Sequence, residues 1–528
     1  MNVGLLGTIA QGSVVQFPSI SYKSIGPELV LVVGALLIMV VTSLFPATRR
    51  RETVVSMATA IAAIALIDSI VLWSQFRSHG AYRAIAGSIT LDGFSVFMMV
   101  TISSATLLGS LAAGSYLKKS NVGVVEFQSL LLLASSGAMI LASAGDLIVI
   151  FIGLEILSIA LYVLAAFEKR NSRSGEAGLK YFILGGFSSA IFLYGIALTY
   201  GSTGSTNISK IAGYLAANTI TNNGVLLAGV ALLIVGFAFK VAAVPFHLWT
   251  PDVYQGSPSV STGYMAAAAK AAGFAGLIRV LLTAFPTIST QWRPILWVLA
   301  GLTMVFGAAL ALIQKDVKRM LAYSSINHAG FVMLGVAAGS QSGASASLYY
   351  LISYTFVIIA TFAIISVFED PEVGGVQLSD LRGLFERSPF IAFALAVFLV
   401  AQAGAPLTTG LIAKFSVVAA TVAAHSYILA VIAMLSAVVA AFFYLRIVAT
   451  VFSKRASTEI EVGSFSGGGE AVSDESSNVA LATVAVDSKL DIDSMTYVVV
   501  LVSLVFTIGF GVIAGPLSQM ANEAHLLF

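Results

Sequence analysis

Cysteine is missing altogether from the 528 residues, which excludes disulfides, thiolate-held iron–sulfur clusters and Cys-ligated metals within this chain. Charge is scarce as well. Only 10% of the residues are Asp, Glu, Lys or Arg, against about 25% in an ordinary soluble domain. A formal net charge of +2 gives no basis for nucleic-acid binding. No His or carboxylate cluster has metal-ligand spacing, no glycine loop has a nucleotide-binding pattern, and no nucleophile stands out. The first 26 residues hold a single basic side chain, Lys23, so a cleaved signal peptide is not expected and the first apolar helix itself directs insertion.

What the chain has in excess is apolar: 58% hydrophobic residues and a mean hydropathy of +0.96. Crossing a hydrocarbon layer of about 30 Å takes roughly 20 such residues, and fourteen runs qualify: 27–46, 54–74, 94–117, 126–143, 146–167, 176–200, 224–245, 257–285, 292–313, 319–339, 344–368, 389–420, 425–451 and 496–520. The expected fold is an all-α polytopic membrane protein. Basic loops stay cytoplasmic. With the loop after the first span inside, eighteen of the 27 Lys and Arg residues lie in inside loops, among them Arg51, Lys118, Lys119, Lys169, Arg170, Lys318 and Arg319; five lie outside and four within spans. Both termini are therefore expected on the outer side. Residues 454–494, rich in Ser, Gly and acids, have the composition of a flexible cytoplasmic linker, with one short apolar run at 479–486.

Two places break the helical pattern. The run 389–420 is too long for one straight crossing and contains Gly404, Pro406 and Gly410, and Pro245, Pro251 and Pro258 fall within fourteen residues. A proline inside a membrane helix frees a carbonyl that only protein or water can satisfy. Both places are expected to be broken helices lining a hydrated cavity, each close to a lysine.

An ionised side chain at mid-membrane costs about 2.5 to 3.5 kcal/mol on insertion scales, so each one inside a span needs a reason. They are Asp68, Glu155, Lys240, Lys270, Arg279 and Lys414, with His328 as a further titratable group. Glu155 must find its partner on another helix. Lys240 precedes Pro245 by five residues, Lys270 sits among alanines and glycines, and Lys414 follows Pro406 by eight. An ammonium kept from water releases its proton more readily, and a carboxylate about 7 Å away opposes that by roughly 2 kcal/mol. Moving one charge against the membrane potential costs about 2.3 kcal/mol per 100 mV, so shifting such a carboxylate, or the water around it, is of the right size for a proton switch. A single Glu–Lys pair reads equally well as a static contact that sets helix register. Three lysines against one glutamate favour amines that are neutral part of the time. Arg279 is expected to snorkel to the interface and Asp68 to make a helix-end or interhelix contact. His328, near Ser324, Ser325 and Asn327, suits either a hydrogen-bonded chain or a satisfied interhelical contact. For His247 a gate and a packed residue stand open.

These residues carry a resemblance. Glu155 in LEILSIALYVL, Lys180-Tyr181 in GLKYFILG, the run FKVAAVPFHLWTPDVYQGSP over 239–258, Lys270, LAYSSINHAG over 321–330 and GAPLTTGLIAKF over 404–415 resemble the antiporter-like membrane subunits of bacterial NADH:quinone oxidoreductase (respiratory complex I), specifically the subunit N family. The resemblance implies two inverted five-helix repeats, 126–288 and 289–452, preceded by three helices in 1–125 and followed by the loop 453–494 and a last helix in 495–528. It implies a proton relay of Glu155, Lys240, Lys270, His328 and Lys414, with breaks or gates at Pro245, His247 and Pro406. The chain would be a non-redox subunit of a proton-translocating enzyme, multi-pass in the inner (plasma) membrane, with no cofactor of its own. FMN, iron–sulfur clusters and quinone would sit in partner subunits, and the other membrane-arm subunits would be its partners. The competing expectation is a subunit of a multisubunit monovalent cation/proton antiporter built on the same helical unit. Leu411 departs from the family, whose members often carry an aromatic residue there.

Overall fold

A computed structural model describes residues 21–44, 47–120, 122–218, 223–454, 490 and 492–527. The acidic stretch expected as a linker, with its apolar run 479–486, lies almost wholly outside the described residues.

The described chain is helical from end to end apart from one small antiparallel hairpin, β1 (Tyr82–Ala84) with β2 (Ile89–Leu91). The helices are α1 (Gly26–Ser43), α2 (Ala47–His79), α3 (Gly93–Lys119), α4 (Val124–Ser143), α5 (Leu147–Ala165), α6 (Ser172–Thr203), α7 (Ile208–Ala217), α8 (Gly224–Val241), α9 (Trp249–Gly256), α10 (Ser259–Tyr264) and α11 (Lys270–Arg279). They continue as α12 (Ser289–Leu312), α13 (Val317–Ala337), α14 (Gln341–Phe368), α15 (Leu384–Arg387), α16 (Pro389–Ala403), α17 (Thr409–Ala423), α18 (Tyr427–Phe452), α19 (Ser494–Val512) and α20 (Gly515–Glu523). A π-helical turn over Met265–Ala269 joins α10 to α11. Among the described residues thirteen helical runs are long and apolar enough to cross a membrane, and the two shorter apolar helices α16 and α17 divide the remaining span. The last span is shorter than its apolar run: α19 ends at Val512, and a separate α20 starts with Pro516 in its first turn, where the ring's missing N–H costs nothing. Short polar side chains start many of the helices. Asp92 accepts from Ser95 N at the head of α3, Asp146 from Ile148 N at α5, and Asp316 from Arg319 N at α13.

The runs Ser259–Ala284 and Val317–Ala337 form the centre of the bundle and are buried throughout their apolar windows. Large apolar side chains are exposed on Phe182, Phe187 and Tyr194 of α6 and on Met434, Leu435 and Phe442 of α18, as expected of surfaces that meet lipid or another membrane protein. Basic residues expected inside gather at one end. Lys118 pairs with Asp493, Lys119 donates to the Val367 carbonyl, Arg170 faces Glu372, and Lys180 and Arg319 share Asp252. Residue 21 and the tail at 525–527 lie at the opposite end, where Leu527 N donates to Asp92 and Phe94 N to the His525 carbonyl.

Arg279 does not snorkel. Its side chain is 1% exposed, donating both Nη atoms to Asp92 at 3.0 and 2.9 Å and Nε to the Ala142 carbonyl at 3.1 Å. A π-helical turn over Val280–Ala284 continues the helix beyond it, so the guanidinium is enclosed by the bundle and finds a carboxylate closer than the interface. Removing one partner of such a pair leaves a buried charge and costs about 3–5 kcal/mol, whereas replacing both by apolar residues is close to neutral. Arg279→Met is therefore expected to lower the amount and thermal stability of assembled protein, and Asp92→Asn combined with it, which removes the charge but keeps an acceptor for Ser95 N and Leu527 N, to recover part of both, as read by native electrophoresis and thermal unfolding. Asp68 makes an interhelix contact: a Cβ on Gly26 at the start of α1 would lie 2.2 Å from Asp68 Oδ2. Glu28, on α1, is a buried carboxylate that the sequence reading passes over; it is 3% exposed, with neither oxygen hydrogen-bonded.

Candidate functional site

Both helix breaks fall where the prolines place them. In the first, α8 stops at Val241, Ala242 takes a left-handed conformation (φ 63°), and α9 begins at Trp249. Side chains repair the interrupted ladder: Trp249 Nε1 donates to the Phe239 carbonyl at 3.1 Å, and Val244 N donates to Thr303 Oγ1 at 2.9 Å. In the second, α16 ends at Ala403, Gly404 has φ 98°, and α17 begins at Thr409. Gly410 is required by close approach, because a Cβ there would lie 1.8 Å from the Ala401 carbonyl oxygen. Pro245 and Pro406 are themselves exposed, while residues beside each break line small cavities, Phe239 and Lys240 at the first and Thr409, Gly410 and Lys414 at the second. A ring without an N–H needs no polar partner and turns outward, leaving the inner side of each break to its lysine. His247 is buried in the first turn, its Nδ1 without a hydrogen-bond partner.

Glu155, on α5, is half-buried and accepts from Ser189 on α6. One turn along α5, Ser158 accepts from Lys240 Nζ at 2.8 Å. Lys240 is 5% exposed, and Glu155 acts on it electrostatically without a direct ion pair. A cavity of about 10 Å³ lies against Lys240, Ser158 and Ser189, about the space of one water. Lys270, 3% exposed, donates to both the hydroxyl and the carbonyl of Ser325 at 2.6 Å. Three residues along α13, His328 has Nδ1 2.6 Å from Tyr350 Oη and Nε2 2.8 Å from Tyr444 Oη, and Tyr444 in turn bonds Ser324. Lys414, 7% exposed, donates to the Ala403 carbonyl at 3.0 Å and lies 4.8 Å from the centre of the Phe331 ring. Phe331 is one turn beyond His328. A second cavity, about 20 Å³, touches His328, Tyr354, Thr409 and Lys414.

Helix α13 thus carries a row of separate contacts: Ser325 holds Lys270, His328 sits between Tyr350 and Tyr444, and the Phe331 ring faces Lys414. Lys240 meets this row by packing alone. Gly273, one turn past Lys270, would place a Cβ 3.1 Å from Lys240 Cγ, and no hydrogen bond among the described residues joins the two amines.

A family profile described as "NADH:quinone oxidoreductase/Mrp antiporter, TM" matches residues 144–440. The "NADH-quinone oxidoreductase subunit N 1" of Herpetosiphon aurantiacus is 40% identical over 406 residues, covering 76% of this chain and 81% of that protein. The chain belongs to the subunit N family. The subunit N of Trichlorobacter lovleyi agrees, at 43% identity over 341 residues, 65% of this chain and 70% of that one. In structure the chain is similar to one in respiratory complex I of Thermus thermophilus, with a TM-score of 0.75 and 29% identity over 94% of this chain and 100% of the other. The likeness to a chain of the Mrp complex of Dietzia, with a TM-score of 0.80 over 96% and 97% of the two chains, comes at 20% identity and shows the fold alone. The antiporter held as the competing expectation is thus a relative in fold, and this subunit N chain is a multi-pass membrane protein of the complex I lineage.

For this subunit N chain, sequence reading set Ser324 and Ser325 beside His328 but missed Ser158, Ser189 and the tyrosines that hold the other groups. Ser158 lies three residues after Glu155, so helical spacing alone was enough to single it out. Tyr350 and Tyr444 carried no such signal, since a tyrosine in an apolar run reads as packing. Lys318, counted as a loop residue, is fully buried and ion-paired to Glu369 at 2.5 Å.

Proposed function

We propose that this chain moves protons across the membrane as a non-redox, proton-translocating subunit of a bacterial NADH:quinone oxidoreductase, through Glu155, Lys240, Lys270, His328 and Lys414. The observation that carries the reading is how the three lysines are held. Lys240, Lys270 and Lys414 donate to a serine hydroxyl, to a serine hydroxyl and carbonyl, and to a backbone carbonyl, whereas the buried Arg279 and Lys318 each have a carboxylate. A buried ammonium with only neutral acceptors is expensive to keep charged, and so is poised to give up its proton. Glu155, bonded to Ser189 and acting on Lys240 from the next turn, is the group whose movement shifts that balance. Units 126–288 and 289–452 each supply one broken helix and one relay segment, between the first three helices and the last. The charge of the end where Lys118, Lys180 and Arg319 gather supports a cytoplasmic side there and an outer side for both termini. FMN, iron–sulfur clusters and quinone belong to partner subunits, and the exposed faces of α6 and α18 suit other membrane-arm subunits.

Lys414→Ala tests the second half of the relay. The complex is expected to assemble and to pump severalfold fewer protons per NADH in proteoliposomes, because the Ala403 carbonyl loses its donor and the row ends at His328. Parental stoichiometry in that variant would remove Lys414 from the path.

A further inference from the structure

Lys318 and Glu369 form a second buried charged group, two turns before Ser325 on α13. Lys318 Nζ donates to Glu369 Oε1 and to the Ser257 carbonyl, both at 2.5 Å, and Glu369 Oε2 accepts from Ser259 N at 2.8 Å. Ser257 and Ser259, whose backbones bind this pair, and Thr250 on α9 and Ser261 on α10 all have buried hydroxyls with no hydrogen-bond partner among the described residues. Buried hydroxyls without a protein partner call for water. The next hydroxyl inward is Tyr254, within reach of Ser325, and Ser325 already holds Lys270. Outward, Asp370 follows Glu369 in sequence and lines a cleft of about 1340 Å³ at the basic end, together with Glu168 and Glu372. Burial pushes the Glu168 carboxyl above its ordinary range, a hydrogen bond from Tyr116 opposes the shift, and Glu369 adds to it, so the two carboxyls sense each other.

We propose that Glu369, held by Lys318, is the carboxylate that takes up protons from the basic-end cleft and delivers them to Lys270 along the hydroxyls of α9, α10 and α13. The transfer is a proton movement only. An excess proton carried by hydronium or a buffer acid in the cleft moves to a Glu369 oxygen and leaves water or the buffer base behind; that O–H later breaks as the hydroxyl and water line accepts, and an N–H forms on neutral Lys270. Lys318 is a positioning residue, keeping the carboxylate inside while it waits. From Ser259 to Lys270 is eleven residues, roughly 16 Å of helix rise, a span that hydroxyls and a few waters cover. The inference rests on the relay reading of Lys270.

Glu369→Gln keeps an acceptor for Ser259 N and removes the proton site. In inverted membrane vesicles, whose cytoplasmic face is outward, the assembled complex is expected to reduce quinone about tenfold more slowly, a smaller loss than the about 10²–10⁴-fold of a group acting on the chemical step itself. With an ionophore present, millimolar formate added outside is expected to restore the rate severalfold by carrying protons past the missing carboxyl. Lys270→Met, lacking the receiving amine, is expected to lose rate without rescue. Full rate in Glu369→Gln, or a loss that formate leaves unchanged, overturns the inference. Should Glu369→Gln not assemble, Thr250→Val with Ser259→Ala decides alone. Both hydroxyls lack partners, so a structural role predicts no change, and an unchanged rate overturns the proposal. If Lys270→Met pumps normally, the relay reading itself has failed.

Discussion

Replacing Lys240 by Met is expected to cut proton-coupled quinone reduction roughly tenfold or more, less than the about 10²–10⁴-fold that a positioned acid–base group contributes, while the complex still assembles. The sign of the assembly effect is the discriminating part. Lys240 is buried with Ser158 Oγ as its hydrogen-bond acceptor and no carboxylate in direct contact. A methionine of similar length removes an ammonium that is costly to enclose and leaves only a hydroxyl to find another partner, Tyr162 being within reach. Stability should hold or rise. If Lys240 were there to fix helix register, the result would be reversed: assembly would fall and any assembled complex would pump normally. Native electrophoresis with NADH-driven proton uptake in proteoliposomes separates the two.

Lys270→Met is expected to have an equally large effect, with a different companion. Lys270 holds both oxygens of Ser325, and through α13 it faces His328, itself bound between Tyr350 and Tyr444. Without the amine, the second half of the chain loses its supply, so pumping should fall about as far as in Lys240→Met. The double variant should then be no worse than either single, because groups acting in series are not additive. A double variant worse by the product of the two losses would mean that the lysines serve separate paths, as read from the proton-to-electron ratio of all three variants.

Much of this was legible in the sequence because charge inside an apolar run is rare enough to be noticed. Lys240, Lys270, Lys414 and Glu155 are visible for that reason, and the helix breaks because Pro245, Gly404 and Pro406 have no other use in mid-membrane. What failed were inferences about reach. Arg279 looked near enough to a span end to snorkel, yet its partner Asp92 precedes α3, far away in sequence, and only packing brings them together. Lys318 looked like one more positive-inside residue, although Glu369 draws it fully into the bundle. The tyrosines around His328 were invisible for a different reason, since a phenol contributes both apolar area and a polar tip, and periodicity reads only the first. Short elements outside the spans, such as β1, β2 and α7, escaped because apolar-run length was the criterion.

The central claim is that Glu155, Lys240, Lys270, His328 and Lys414 share one continuous proton path, and the contact between α8 and α11 is where it is thinnest. A map of the assembled complex at a resolution that shows water tests this most directly. The account predicts ordered water bridging Lys240 Nζ to Lys270 Nζ beside Gly273, and a second link between His328 and Lys414. Dry side-chain packing between the two amines, with each lysine closed in its own pocket, would contradict it.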